Sequence, residues 1–259
     1  MAYEFNGNRY RDASAHQKQW GRRIVSQLPL RGNERILDLG CGDGALTAEL
    51  ADRVPDGSVL GIDASEGMIE VANKHTAANL TFELLNINEL ESLAAGFDLI
   101  FSNATLHWIK DHASLWENVY RLLNDKGGAR FNFAGQGNCS SFFEVVRQAM
   151  SLDQFKSYFS GFDWPWYMPS VDEYENLMGA SAFLDYRVWP ENADHFFADV
   201  DAMAAWVEQP SLVPFVEHVA ESDRPAFRDF VVGRMIRRTR QSDGRCFETF
   251  RRINVSACK

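Results

Sequence analysis

Three glycines at alternate positions, Gly40, Gly42 and Gly44, stand in the stretch LDLGCGDGA between an apolar run and a helical pattern. Glycine at a strand-to-helix turn permits unusual backbone angles and lets a ligand approach the main chain closely. With Ala45 the stretch also satisfies the degenerate G-x-G-x-x-G/A pattern of dinucleotide sites. The glycines therefore indicate a nucleoside-type ligand, but they do not distinguish a dinucleotide from other adenosine derivatives.

Carboxylates flank these glycines. Asp38 lies before Gly40, and Asp43 lies inside the loop. Carboxylates repel a doubly anionic pyrophosphate but attract a ligand that carries an ammonium and a sulfonium, so the acids favour S-adenosylmethionine as the cofactor. Asp63 ends the next apolar run, where an acid can accept hydrogen bonds from both ribose hydroxyls, and it fits either ligand class.

Apolar runs of strand length alternate with helical segments from residue 34 to about 134. The strand candidates are 35–39, 58–62, 80–85, 97–102 and 128–134, followed by 183–190 and a last antiparallel strand in the terminal segment 246–259. Repeated strand-helix-strand units predict a parallel sheet with helices on both faces and ligands at the carboxyl ends of the strands. We therefore expect an α/β fold with a Rossmann-like, seven-stranded, mostly parallel sheet.

The pattern changes after residue 138, where aromatic residues and helical segments interrupt the strands. We expect a helical lid from residues 139–182 and 191–245, and a cofactor-binding core from 1–138, 183–190 and 246–259. Within the lid, the segment GFDWPWYMP carries Trp164, Trp166 and Tyr167. These rings can form a rigid apolar wall that excludes water from a substrate, and they fit ordinary core packing as well.

Composition limits the class of protein. A net charge of −10 argues against nonspecific nucleic-acid binding, which requires a surplus of cations. The four cysteines show no zinc-ligand spacing or disulfide framework, and no apolar run is long enough to span a bilayer. We expect a soluble cytoplasmic monomer or weak homodimer that binds a small-molecule substrate, no metal, no membrane and no nucleic acid.

Four segments, in this order and spacing, resemble the class I S-adenosylmethionine-dependent methyltransferases: ILDLGCGDG, GIDASEGMIEVA, FDLIFSNATLHWI and LLNDKGGARFNF. Within that superfamily the chain is similar to the trans-aconitate methyltransferase-like group. The shared features are an N-terminal HQKQWG segment, NATLHWIKDH, PWYMPSVDEYENLM and a terminal FRRINV. The resemblance covers roughly residues 10 to 138, and more loosely 160 to 259.

The resemblance assigns a set of cofactor residues, grouped by the part of the ligand that each would hold. They are Asp38, Gly40, Cys41, Gly42 and Gly44 for the methionine moiety, Asp63 and Ala64 for the ribose, Met68, Asn86 and Ile87 for the adenine, and Asn103 for the methionine end. Many relatives carry an aspartate where this chain has Asn86. The amide carbonyl can still accept a hydrogen bond from the adenine amino group.

The acceptor side has its own candidates. His107 and Trp108 follow the fourth strand, where His107 can orient a substrate, act as a base, or simply bond to backbone as a buried side chain. By resemblance, Tyr10, Gln17 and Trp20 lie in a helix that closes over the cofactor pocket, although Trp20 also fits core packing.

Arginines cluster near the end of this acidic chain. Most such residues lie on solvated helix faces, but one or two that point inward could grip a substrate carboxylate through a bidentate fork. The candidates for this role are Arg237, Arg238, Arg251 and Arg252.

The combined prediction is methyl transfer from S-adenosylmethionine to a small molecule, first of all to a carboxylate oxygen. A carboxylate is already anionic at neutral pH, so the reaction needs positioning of the reactants more than it needs a base. A hydroxyl, amine or carbon acceptor is the alternative, and a non-catalytic S-adenosylmethionine-binding module is another. The charge and the lack of an added recognition domain disfavour a nucleic-acid or protein methyltransferase.

Overall fold

A seven-stranded sheet forms the centre of the protein. The computed structural model describes residues 15–259. The strands of the fold are β1 Arg35–Leu39, β2 Ser58–Asp63, β3 Leu80–Leu84, β4 Phe97–Asn103, β5 Leu123–Ala134, β6 Asp185–Asn192, β7 His195–Phe197, β8 Cys246–Glu248 and β9 Arg251–Cys258. The main sheet has the order β3-β2-β1-β4-β5-β9-β6.

Strand directions match the prediction from sequence. The strands β1 to β5 pair in parallel, and β9 is antiparallel to both of its neighbours, β5 and β6. The predicted α/β fold with a mostly parallel, Rossmann-like sheet is therefore confirmed. Because β1 lies between β2 and β4, the strand order reverses there, and this is where open α/β sheets bind ligands.

Helices surround the sheet. They are α1 Ala15–Gln27, α2 Ala45–Arg53, α3 Glu66–Ala72, α4 His112–Leu122, α5 Ser140–Ser151, α6 Val171–Gly179, α7 Val200–Trp206, α8 Val213–Val216 and α9 Arg224–Thr239. Side chains cap several of them. The Ser170 hydroxyl and the Glu173 carboxylate form a capping box at the start of α6, and Ser65 accepts from the Met68 amide at the start of α3.

Three apolar clusters hold the layers together. One packs α4 and α6 against one face of the sheet, and a smaller one packs α1 and α2 against the β1 region. The third is rich in aromatic side chains and joins the helices that follow β5 and β7. The division of the chain into core and lid stays a prediction. None of the helices within the described residues has the length and apolarity that crossing a bilayer requires.

The terminal segment differs from its prediction as a single strand. It forms two strands in different sheets, because β8 leaves the main sheet and pairs with β7 while β9 enters the main sheet. The buried Glu248 carboxylate at the end of β8 accepts from the Ser141 and Phe142 amides at the start of α5. This contact turns the chain between the two strands.

The fifth strand also begins earlier than predicted. It starts at Leu123 and includes the NDKGG residues that indicated a helix end. Lys126 adopts a positive φ of 66° there, and its amide donates to the carbonyl of Lys259. The extension therefore depends on pairing with the end of the chain, a contact that no local pattern reports.

A buried hydrogen-bond chain beneath the sheet gives a test of this fold. His112 Nε2 donates to the Leu106 carbonyl at 2.9 Å, so its Nδ1 accepts from the Tyr174 hydroxyl at 2.7 Å. Trp116 Nε1 donates to the same hydroxyl at 2.9 Å. Tyr174→Phe leaves Trp116 and His112 each with an unpaired polar atom.

We expect Tyr174→Phe to lower the free energy of unfolding by about 1–3 kcal/mol in urea denaturation. Tyr186→Phe is the matched control, because that hydroxyl makes no hydrogen bond to the described residues. Equal stabilities of the two variants would contradict a role for this hydrogen-bond chain.

Candidate active site

A cavity of about 660 Å³ opens at the carboxyl ends of the first four strands. We call it the large cavity. It brings together most of the residues predicted for the cofactor, which are Asp38, Gly40, Cys41, Gly42, Asp63, Ala64, Met68, Asn86, Ile87 and Asn103. Gln17 and Trp108, predicted for the substrate side, line it as well. Residues far apart in sequence therefore meet at the predicted edge of the sheet.

Each glycine of the glycine loop is required for a different structural reason. Gly40, Gly42 and Gly44 have φ values of 72°, 55° and 77°, a region that disfavours side chains. A Cβ on Gly40 would lie 2.1 Å from Thr105 Cγ2, whereas a Cβ on Gly42 would meet nothing within 4 Å. The open space over Gly42 belongs to the large cavity.

Gly44 does not line the large cavity, although the resemblance assigned it to the cofactor. It precedes α2, and a Cβ there would lie 2.7 Å from Phe82 Cζ and 2.9 Å from Ala72 Cβ. Gly44 therefore lets the loop pack against α3 and β3, because any side chain would collide with them.

Carboxylates dominate the electrostatics of the large cavity. Asp38 is buried and accepts from the Thr47 hydroxyl at 2.7 Å, and desolvation raises its pKa to about 7 despite that hydrogen bond. Asp63 accepts from the Gly42 and Ser65 amides, both at 3.0 Å. Asp43 forms an ion pair with Lys18 of α1 at 2.5 Å. The wall therefore suits a cation.

A second, small cavity of about 50 Å³ adjoins the large one. Gln17, Ala104 and Trp108 line both cavities and mark the junction. The remaining wall is mostly aromatic, with His107 and Arg252 among its polar members. His107 therefore lies on the side of the small cavity and is not part of the large one.

The structure separates the four candidate arginines. Arg252 is 4% exposed and lines the small cavity, whereas Arg237 and Arg238 lie exposed on α9. Arg238 pairs with Glu144, and Arg251 pairs with Asp194. Among the four candidates, Arg252 alone is positioned to bind a ligand.

Asn132 on β5 orients the Arg252 guanidinium. Arg252 Nε donates to Asn132 Oδ1 at 2.9 Å, and Nη2 donates to the Asn132 carbonyl at 3.3 Å. Arg252 also lies over the Trp20 ring, 5.1 Å from its centroid. Asn254 Oδ1 accepts from Asn132 Nδ2 at 2.9 Å, and Asn254 Nδ2 donates to Glu191 at 3.0 Å. The arginine is therefore held in one orientation by the sheet.

His107 is neutral in this setting. Burial lowers its pKa well below the usual histidine value, and the charges of Arg252 and His112 lower it further. Its Nδ1 is buried and has no hydrogen-bond partner among residues 15–259. The His107 carbonyl accepts from the Tyr167 amide at 2.8 Å, which ties this turn to the aromatic segment.

Three other predicted residues, all within the described part of the chain, fall outside the walls of the two cavities. Trp20 packs edge-on against Phe250, Trp164 packs among Phe143, Trp166 and Phe215, and Tyr167 packs on His112. Tyr10 lies outside the described residues. Of the three aromatic candidates in this segment, Trp166 lines a cavity, and its aromatic neighbours hold that ring in place.

The side-chain carbonyl of Asn86, predicted to contact the adenine, already accepts hydrogen bonds from Asn88. Asn86 Oδ1 accepts from the backbone and side-chain nitrogens of Asn88, at 2.9 and 3.0 Å. The carbonyl therefore already has two donors, although Asn86 still lines the cavity. Its neighbour Asn88 lines the cavity as well.

Sequence reasoning missed several wall residues. Thr105 donates to the Gly40 carbonyl at 3.0 Å, and Lys110 forms an ion pair with Asp163 across the cavity. Thr105 follows the fourth strand, and this position at the carboxyl end of a strand could have predicted that it lines the cavity. Lys110 and Asp163 carried no such signal, because their pairing depends on how residues 53 positions apart meet in the folded chain.

Comparison with known proteins identifies the family. A family model for a methyltransferase domain matches residues 30–155. A juvenile hormone acid O-methyltransferase of Bombyx mori is 32% identical over 214 residues, which cover 76% of this chain and 76% of that protein. This chain belongs to the S-adenosylmethionine-dependent methyltransferases.

Two further similarities agree. A trans-aconitate 2-methyltransferase of Deinococcus radiodurans is 27% identical over 246 residues, which cover 89% of this chain and 90% of that protein. The fold is similar to phosphoethanolamine N-methyltransferase 2 of Haemonchus contortus, solved with S-adenosyl-L-methionine, with a TM-score of 0.61 and 20% identity. That match covers 98% of this chain and 56% of the longer one. The enzyme is a class I methyltransferase of the trans-aconitate methyltransferase-like group.

The cofactor of this methyltransferase is S-adenosylmethionine. The residues of the large cavity fit it. The volume lies within the roughly 300–1,000 Å³ of ligand sites. Asn103 Oδ1 is buried without a hydrogen-bond partner in the part of the chain that the structure describes, and it can accept from an ammonium. The aspartates of the wall match the cationic groups of the cofactor.

The glycine loop allows a paired test. Gly42→Ala places a side chain at positive φ but meets no atom, so we expect it to lower stability by about 1–2 kcal/mol. Gly40→Ala adds a collision with Thr105, so its loss of unfolding free energy in urea should be clearly larger. Equal losses would show that the Gly40–Thr105 contact does not constrain the loop.

The raised pKa of Asp38 predicts that cofactor binding depends on pH. The pKa of Asp38 in the free enzyme is about 7, so its carboxyl group is mostly protonated at lower pH. The carboxyl group must then lose its proton before it can attract a cationic ligand. Affinity for S-adenosylmethionine should therefore fall about tenfold from pH 6 to pH 5 in calorimetry. Asp38→Asn should bind more weakly and lose that slope. A natural enzyme with pH-independent affinity in this range would contradict the assignment.

Proposed function

We propose that this methyltransferase transfers a methyl group to a carboxylate oxygen of a small organic acid. The observation that carries the proposal is the buried Arg252 in the wall of a small cavity that adjoins the cofactor cavity. A guanidinium binds a carboxylate through charge-assisted, bidentate hydrogen bonds. A hydroxyl or amine acceptor without an acidic group would have no use for this cation.

Residues of the large cavity would hold the cofactor. We assign Asp63 to the ribose, Met68 and Ile87 to the adenine, and Asn103 with the backbone around Gly40 to the methionine end. Gly42 leaves the main chain open to the ligand, since its missing Cβ would point into free space. The bound cofactor supplies an electrophilic methyl group on a sulfonium and leaves as a neutral thioether.

The protein's part in the reaction is alignment and exclusion of water. A new bond forms between the acceptor oxygen and the methyl carbon while the carbon–sulfur bond breaks, and no proton is transferred. Arg252 would hold the carboxylate near the junction of the two cavities, and the aromatic walls would exclude water. A carboxylate needs no general base, which agrees with a neutral His107 in the wall.

Two contacts from α1 close the cofactor side. Asn103 Nδ2 donates to the Gln17 carbonyl at 3.2 Å, and Lys18 pairs with Asp43. Gln17 lines both cavities. The same helix would therefore cover the cofactor and form part of the acceptor wall, so closure over one ligand would shape the site for the other.

The named relatives support a carboxylate acceptor. The Bombyx mori relative is named as an acid O-methyltransferase, and the Deinococcus radiodurans relative is named for trans-aconitate. A screen of carboxylic acids, alcohols and amines for release of S-adenosylhomocysteine tests the proposal directly. Turnover confined to amines or alcohols would overturn it.

Arg252 gives the sharpest mutational test. We expect Arg252→Gln to raise KM for an acid substrate by about 10- to 100-fold, since a hydrogen bond to a charged group contributes about 1.5–3 kcal/mol. Arg252→Lys should restore part of the affinity because it keeps the charge. Arg238→Gln is the control, because Arg238 is an exposed arginine paired with Glu144. An unchanged KM in Arg252→Gln would refute the assignment.

A further inference from the structure

The small cavity combines a cationic group with an apolar wall. Besides Trp108 at the junction, six large apolar or aromatic residues surround Arg252, namely Phe142, Phe143, Trp166, Met168, Trp206 and Phe250. Among the wall residues that the structure describes, the polar remainder is neutral apart from this arginine: Gln17, Asn138 and Ser211 carry no charge, and burial lowers the pKa of His107. One anionic group is matched here, and a second would meet aromatic rings.

The size of the small cavity also restricts the ligand to one anionic group there. About 50 Å³ corresponds to about four water-sized positions, because one position needs roughly 10–15 Å³. That space accommodates a carboxylate and the first carbon or two attached to it. The second carboxylate of a short polyacid would therefore be buried against the rings, where an unpaired charge is strongly disfavoured.

The charges around the small cavity also oppose a second anion. The lysines of the large cavity each pair with an aspartate of the same wall, Lys18 with Asp43 and Lys110 with Asp163. On the other side, the buried Glu248 lies close enough to Cys139 in the small-cavity wall to raise the pKa of that thiol, after desolvation. A polyanion would meet carboxylates in both directions.

Trp166 adds a hydrogen-bond donor to this wall. Its Nε1 is buried and has no partner among the residues from 15 onward that the structure describes. An indole nitrogen can only donate, and a buried donor without an acceptor is costly. Trp108 and Phe143 hold the ring, at centroid distances of 5.2 and 5.5 Å. An acceptor oxygen on the ligand would satisfy this donor.

We propose that the methyl acceptor is an apolar monocarboxylic acid, and that the indole N–H of Trp166 helps to bind it by donating to the carboxylate that Arg252 binds. This inference rests on the proposed function and adds the substrate class to it. Arg252 supplies the charge, Trp166 supplies a second donor, and the aromatic wall takes the apolar carbons next to the carboxylate.

Matched acids test the substrate class. Propanoate against malonate, and butanoate against succinate, differ only by a second carboxylate, and trans-aconitate adds a tricarboxylate. We expect kcat/KM for each monocarboxylate to exceed that of its partner by at least about 100-fold, measured as release of S-adenosylhomocysteine. A polyacid that equals or exceeds its monocarboxylate overturns the inference and leaves the proposed function intact. If no acid is methylated, the proposed function fails, and the inference falls with it.

Trp166→Phe tests the role of the indole donor. We expect it to raise KM for the monocarboxylate about tenfold with kcat largely retained, because the ring remains and the donor is lost. The dissociation constant of S-adenosylhomocysteine, measured by calorimetry, should stay unchanged, since Trp166 does not line the large cavity. Trp189→Phe is the matched control, because Trp189 lies on the edge strand β6 beneath Arg130 and Arg187. An unchanged KM in a folded Trp166→Phe enzyme overturns the role of Trp166.

Discussion

The close contact between the turn after β1 and the turn after β4 is the constraint on which the site depends. Gly40 takes a positive φ and has no side chain, so Thr105 can pack directly on it and donate to its carbonyl. The contact joins the two strands at the reversal of strand order. It brings the glycine loop beside Asn103, Ala104 and Trp108, and thereby sets the large cavity beside the small one.

The last strand completes the site from the other side of the sheet. Because β9 inserts between β5 and β6, Arg252 lies next to Asn132 in the interior and not at the surface. Hydrogen bonds across three strands then fix the Arg252 side chain, and they connect Asn132, Asn254 and Glu191. An arginine near the end of the chain thus becomes a buried cation in the wall of the small cavity.

The cofactor side was predictable from sequence because its signal is local. A buried strand, a glycine turn and an acid at the end of the next strand follow one another within a short stretch, and parallel strands bring such ends together. The acceptor side was not predictable in this way. Arg251 and Arg252 are neighbours, yet one is partly exposed and the other buried, because the direction of a strand side chain depends on register. The role of Gly44 was likewise not predictable from the local sequence, since its packing against Phe82 follows from tertiary structure.

The central claim is that the enzyme methylates a carboxylate held beside the cofactor by Arg252. The most direct measurement uses S-adenosylmethionine with a labelled methyl group and an apolar monocarboxylic acid, followed by mild alkali. A carboxyl methyl ester releases its label as methanol under these conditions, whereas a methyl group on an ether oxygen, nitrogen or carbon is retained. The account predicts release of the label from the product. A labelled product that keeps its methyl group in alkali would contradict it.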